Sequence, residues 1–132
     1  MIVVDTNVIS YLLIPGPLRS LAEKAARKDV WCAPLLWRSE FLNVLATHMR
    51  QKQMPLREAR ELMTVAESLF WGREFTVRSA AVLDCVHGSR RSAYDCEFVA
   101  LAIDLRITLV TTDEPVVQEF PGTAIHLRDY AV

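Results

Sequence analysis

Four carboxylates stand where a carboxylate is conspicuous. Asp5 closes the run Ile2-Val3-Val4, and Asp113 closes Leu109-Val110-Thr111-Thr112. Asp95 lies in Ser92-Ala93-Tyr94-Asp95, at the head of an alanine-rich segment. Glu40 shares a segment with Trp37, Phe41, Val44 and Leu45. Carboxylates in apolar surroundings become protonated unless a positive partner holds them. Several together call for a cation, and an all-oxygen donor set suits a hard divalent ion such as Mg²⁺ or Mn²⁺. An ion held in this way acidifies a bound water and polarises a substrate oxygen, which is the chemistry of metal-assisted catalysis.

Each acid also has a plainer explanation. Asp5 and Asp113 are short polar residues ahead of possible helices, where such residues cap the first turn, and Pro115 suits the start of a helix. Ser92-x-x-Asp95 has the form of a capping box. A helical wheel distinguishes Asp95 from a simple cap. At 100° per residue, Phe98, Val99 and Ala102 fall within about 60° of Asp95, in the stripe expected to face a sheet. Glu97 and Asp104 fall about 160° and 180° away and are expected in water. Glu40 lies about 60° from Trp37, at the edge of its apolar arc, where a solvated charge is the ordinary case.

The elements that would position these acids alternate. Ile2–Val4, Val30–Ala33, Glu74–Val77, Thr108–Thr111 and Ala124–Leu127 read as short strands. Leu18–Lys28, Leu35–Gln51, Leu56 to about Phe70, Ser79–Val86 and Ser92–Leu105 read as helices. A first helix carrying Leu12 and Leu13 follows Asp5, and a short one follows Asp113. Single strands separated by helices need crossover connections, hence an α/β fold with about five parallel strands and helices on both faces. Ile2-Val3-Val4 lacks polar alternation, as expected of a strand covered on both sides. In such sheets ligands bind beyond the carboxyl ends of the strands, where Asp5 and Asp113 lie.

The 132 residues fit one domain, 1–132, and 52% hydrophobic with 23% charged residues excludes a disordered chain. No apolar run is long enough to span a bilayer, and the N-terminus lacks the pattern of a secretory signal, so a soluble, cytoplasmic protein is expected. Cys32, Cys85 and Cys96 lack CxxC spacing and read as core residues. His48, His87 and His126 are scattered without metal spacing. Net charge is −1, so setting aside the four acids leaves +3 on the rest of the chain. Of the 15 basic residues only Lys24, Lys28 and Lys52 are lysines. An arginine excess suits phosphate contacts, and Arg38, Arg90 and Arg91 lie close in sequence to the acids.

Taken together, Val3-Val4-Asp5-Thr6-Asn7, Glu40 within a helix, Tyr94-Asp95 opening an alanine-rich helix and Leu109-Val110-Thr111-Thr112-Asp113 resemble a PIN domain. The size and the last two segments are similar to VapC-type toxins of toxin–antitoxin pairs. The resemblance spans essentially the whole chain. It implies a five-stranded parallel sheet and a Mg²⁺- or Mn²⁺-dependent endoribonuclease with Asp5, Glu40, Asp95 and Asp113 as metal ligands and catalytic acids. Thr6, Asn7 and Thr111 match supporting polar positions, Thr111 as a residue that orients a carboxylate or water. It further implies products with 5′-phosphate and 3′-hydroxyl ends, a homodimer, and a cognate antitoxin that covers the acidic pocket. Leu12, Leu13, Phe70 and Trp71 are either core or part of such a partner surface. The sequence departs from the pattern at Leu105-Arg106-Ile107, which lacks the glycine often found there, and in the extra acids Glu97 and Glu114. Two other readings compete: a PIN-like binding module without activity, and a phosphoacceptor receiver domain. The second needs a late lysine, and none follows Lys52.

Overall fold

The computed structural model describes residues 1–132. The strands are β1 (Ile2–Val4), β2 (Trp31–Pro34), β3 (Glu74–Phe75), β4 (Leu109–Thr111) and β5 (Ala124–His126). The helices are α1 (Thr6–Leu13), α2 (Arg19–Lys28), α3 (Leu36–Gln51), α4 (Leu56–Leu69), α5 (Ser79–His87), α6 (Ala93–Leu105), α7 (Glu114–Glu119) and α8 (Leu127–Tyr130). All strand pairs are parallel, in the order β3-β2-β1-β4-β5. The expected α/β class and five-stranded parallel sheet are therefore present. α8 has no counterpart in the sequence reading; four residues are too few to show helical periodicity.

The residue types explain the sheet. Every residue of β1 and of β4 is buried, although successive side chains point to opposite faces. Helices must therefore cover both faces, and α6 packs across β1, β2 and β4. Val3 and Val4 meet Leu109 and Val110 in register, so β-branched and leucine side chains fill the centre of the sheet. Trp37, Phe41 and Leu45 repeat every four residues along α3 and are its buried face. Trp37 also lies 4.8 Å from Phe70, ring centre to ring centre. Cys32, Cys85 and Cys96 are free and buried, as expected.

The topology decides where a ligand can sit. From β1 the chain adds β2 and β3 on one side, then returns to add β4 and β5 on the other. The order reverses between β1 and β4, and beyond the carboxyl ends of those strands the following helices diverge and leave a crevice. Asp5 leaves β1 and Asp113 follows β4, so both flank that crevice. No helix is long and apolar enough to cross a membrane.

Two details differ from expectation or explain it. Arg106 adopts the left-handed conformation at φ 58° where α6 ends. This is the position at which a glycine would turn the chain without strain. Phe70 and Trp71, taken together in the sequence, separate: Phe70 is fully buried and Trp71 is exposed.

Candidate active site

A cavity of about 500 Å³ opens at the switch point. Asp5, Glu40, Asp95 and Asp113 all line it, together with Thr6, Asn7 and Thr111. Residues from α1, α3, α6 and the end of β4 thus meet although they span 108 positions of sequence, from 5 to 113.

Local structure resolves the choice between cap and functional acid: the two aspartates at strand ends do both. Asp5 Oδ1 accepts from the Val8 N–H at 3.1 Å and caps α1, while Oδ2 accepts from the Thr111 hydroxyl. Asp113 Oδ1 accepts from the Val116 N–H at 3.2 Å and caps α7. Thr111 joins the two. Its hydroxyl donates to Asp5 and accepts from the Asp113 N–H at 3.0 Å, and its side chain is fully buried. Ser92 caps α6 by accepting from the Asp95 N–H at 3.1 Å. That bond supplies one half of a capping box and leaves the Asp95 carboxylate to the cavity. Glu40, half-buried on α3, accepts from the Thr6 hydroxyl at 2.7 Å.

The electrostatics show a site crowded with negative charge. Burial pushes Asp5 up from 3.8 to about 6; Asp113 and Glu40 add to the rise, while the Thr111 hydroxyl and the Val8 N–H oppose it. Burial also raises Glu40 against the pull of the Thr6 hydroxyl, with Asp95 and Glu97 contributing. Asp95 is raised by burial and by Asp113, against the Arg91 guanidinium and the Ser92 hydroxyl. Each ionised acid makes its neighbours costlier to ionise, and a divalent cation would relieve all of them. No three of these side chains are drawn together into a ready-made cage. The donor chemistry nonetheless fits a hard divalent ion: four carboxylates, all oxygen, facing one cavity.

The arginines need correction. Arg38 does not face the cavity as a free phosphate contact. Its Nε and Nη2 donate to Glu74 at 2.6 and 2.9 Å, and its Nη1 donates to Glu67 at 2.7 Å. Trp37 Nε1 donates to the same Glu74 at 2.7 Å, so this network ties α3 to α4 and β3. Arg91 uses Nε on Glu119 at 2.5 Å, and the Arg90 N–H donates to the other oxygen of Glu119 at 2.9 Å. Arg91 still lies near enough to Asp95 to favour its ionised form. Glu97 is the second correction. It is partly buried and close enough to Glu40 to raise it, not turned fully to water. The wheel assumed one buried side, whereas α6 buries Cys96 and every residue from Phe98 to Ala102. Asp104 is at the surface as expected, paired with Arg78 at 2.8 Å. Glu114 pairs with Arg128 at 2.9 Å and is not among the cavity residues.

Ser39, Asn43 and Tyr94 also line the cavity and were not singled out as functional. Ser39 and Asn43 flank Glu40 within one turn of α3, so helical spacing from Glu40 was a usable signal.

The PIN domain family model matches residues 2–118. The chain belongs to the PIN domain family. No curated protein matches its sequence. Among solved structures, this PIN domain is similar to FitAcB from Neisseria gonorrhoeae, with 20% identity, 97% of this chain and 99% of that one covered, and a TM-score of 0.76. It is similar to PAE2754 from Pyrobaculum aerophilum at 18% identity, covering 98% and 92%, with a TM-score of 0.77. A toxin–antitoxin complex from Klebsiella pneumoniae gives 17% identity, coverage of 96% and 98%, and a TM-score of 0.68. At these identities the likeness shows the fold of this PIN domain.

Proposed function

We propose that this PIN domain is a Mg²⁺- or Mn²⁺-dependent endoribonuclease that acts in the cytoplasm as the toxin of a toxin–antitoxin pair. The observation that carries the reading is the meeting of Asp5, Glu40, Asp95 and Asp113 in one cavity at the switch point of the sheet. Family membership supports nuclease chemistry, since PIN domains are generally nucleases that use divalent metals. The toxin–antitoxin complex among the structural neighbours supports an antitoxin partner. A homodimer is part of the same reading.

In this mechanism the four carboxylates would hold the divalent ion. Bound there, it would supply Lewis-acid charge for the phosphate and acidify water. The chain's own groups do the rest. Thr111 and the Val8 N–H fix both oxygens of Asp5, and Thr6 fixes one oxygen of Glu40. These bonds hold the acids in place before substrate arrives, so little reorganisation remains for the reaction. One of the carboxylates accepts the proton of the attacking water. Arg91, held by Glu119 and near enough to Asp95 to favour its ionised form, lies outside the cavity lining and would contact an RNA phosphate at its margin, with Arg90 beside it. Asn7 completes the polar lining next to Thr6.

The test is cleavage of a tRNA and rRNA panel by purified, antitoxin-free protein in Mg²⁺, Mn²⁺ or EDTA. Metal-dependent cuts with 5′-phosphate ends are expected. Absence of any cut, together with no rise in melting temperature in millimolar Mn²⁺, would overturn the enzyme and leave a PIN-like binding module without activity.

A further inference from the structure

The first turn of α6 carries Asp95 but is little held by packing. Ser92, Ala93 and Tyr94 are exposed, and apolar burial on this helix begins only at Cys96. The Ser92 cap bonds within the same turn, so it shapes the turn without fixing it to the rest of the fold. Asp113 is held differently. It follows β4, its N–H donates to the buried Thr111, and it caps α7, which packs on β4 and β5. Two of the four acids therefore have unequal support, one on the sheet and one on an exposed helical turn.

Glu119 connects them. It ends the helix that Asp113 caps. Its Oε1 accepts from the Arg90 N–H at 2.9 Å and its Oε2 from Arg91 Nε at 2.5 Å. Arg91 immediately precedes Ser92. Its own N–H donates to the Ser89 hydroxyl, which donates to the Cys85 carbonyl of α5. The chain entering α6 is thus tied to α5 on one side and to α7 on the other. The Glu119 and Arg91 side chains are both partly buried. A carboxylate that grips a main-chain N–H and a guanidinium together fixes position as well as orientation.

We infer that Glu119 is a positioning residue for the acidic centre: by holding the entry to α6 against α7, it sets where Asp95 stands relative to Asp113. Glu119 does not line the cavity and acts through Arg90 and Arg91. This rests on the metal-site reading above and adds a residue which that reading does not contain.

The test is calorimetric titration of Mn²⁺ into the wild type and variants at this contact. Removing a partner one step behind a metal's ligands typically weakens affinity 10- to 100-fold, and Glu119→Ala should show a loss in that range. Its melting temperature in EDTA should match the wild type, because a partly exposed ion pair adds little to stability. Arg91→Ala separates the clamp from a simple effect of charge. Loss of a cation beside the acids would tighten Mn²⁺ binding if only the field mattered, whereas loosening the clamp should weaken it. The double variant should lose no more than Glu119→Ala alone, since both residues act through one contact. If Glu119→Ala does not fold, Glu119→Gln should show a loss in the same direction. It keeps an oxygen for the Arg90 N–H but no acceptor for Arg91. Unchanged affinity in Glu119→Ala, tighter binding in Arg91→Ala, or additive losses in the double variant would overturn the inference. If the wild type binds no Mn²⁺, the metal-site reading fails by itself, and hydrogen exchange decides the clamp. Faster exchange of the Asp95 amide in Glu119→Ala, with β1 and β4 unchanged, would support it. An unchanged Asp95 amide would overturn it.

Discussion

Replacing Asp5 by asparagine should make the folded protein more stable at neutral pH while removing its activity. The physical reason is the cost of holding an ionised Asp5 among Asp113 and Glu40 in a half-buried cavity. Its pKa lies at about 6 in the folded chain against an ordinary 3.8. Below 3.8 the carboxyl is protonated in both folded and unfolded chains, so it costs nothing. Between 3.8 and about 6 the unfolded chain releases the proton while the folded chain keeps it, and stability falls as pH rises through that window. Well above pH 6 the loss is complete, and the difference between 3.8 and about 6 corresponds to about 3 kcal/mol. Asparagine carries no charge and keeps one oxygen that can accept from the Val8 N–H, so the cap on α1 survives, but its NH2 replaces the oxygen that accepts from the Thr111 hydroxyl, at a cost of about 1 kcal/mol. In metal-free buffer with EDTA, Asp5→Asn should unfold at higher urea than the wild type at pH 7.5, by about 2 kcal/mol, or roughly 5–10 °C in melting temperature. At pH 4 that gain should be absent. Millimolar Mn²⁺ should stabilise the wild type more than the variant and narrow the gap. A variant that is equally or less stable than the wild type at pH 7.5 would refute the reasoning, because the cavity would then not penalise the charge.

Three further substitutions separate structural from functional roles. Arg38→Ala should cost about 1–2 kcal/mol in urea unfolding, because the guanidinium bridges Glu74 and Glu67 in a partly exposed network. The salt dependence of RNA binding should stay unchanged, and a flattened dependence with intact stability would make Arg38 a phosphate contact after all. Arg91→Ala should flatten the plot of log binding constant against log salt by about 0.7 for single-stranded RNA, the signature of one lost phosphate contact. An unchanged slope would confine Arg91 to its ion pair with Glu119. Arg106→Gly should raise stability by about 0.5–1 kcal/mol by relieving the left-handed backbone at φ 58°. A lower melting temperature would show that the arginine side chain contributes more than its backbone strain removes.

Much of this architecture was legible in the sequence, for identifiable reasons. Val3, Val4, Leu109 and Val110 form short unbroken apolar runs, so they read as strands buried on both faces, and the acids that end those runs fall at strand ends. The spacing of Trp37, Phe41 and Leu45 identifies the buried face of α3 and puts Glu40 at its margin. What the sequence hides is pairing between distant positions. Glu67 and Glu74, which occupy Arg38, lie 29 and 36 residues away from it, and nothing local announces either. The bond from Thr6 to Glu40 spans 34 residues and the bond from Thr111 to Asp5 spans 106, so their roles appear only once the fold brings them together. Glu97 shows the limit of a wheel: the angle was sound, but a helix packed on nearly every side has no single solvent face.

The central claim is that Asp5, Glu40, Asp95 and Asp113 together hold a divalent ion. The direct measurement is calorimetric titration of Mn²⁺ into the wild type and into Asp5→Asn, Glu40→Gln, Asp95→Asn and Asp113→Asn. Saturable binding in the wild type, weakened in every variant, is the predicted result. Binding that is absent from the wild type, or that survives unchanged when these acids are neutralised, would contradict the account.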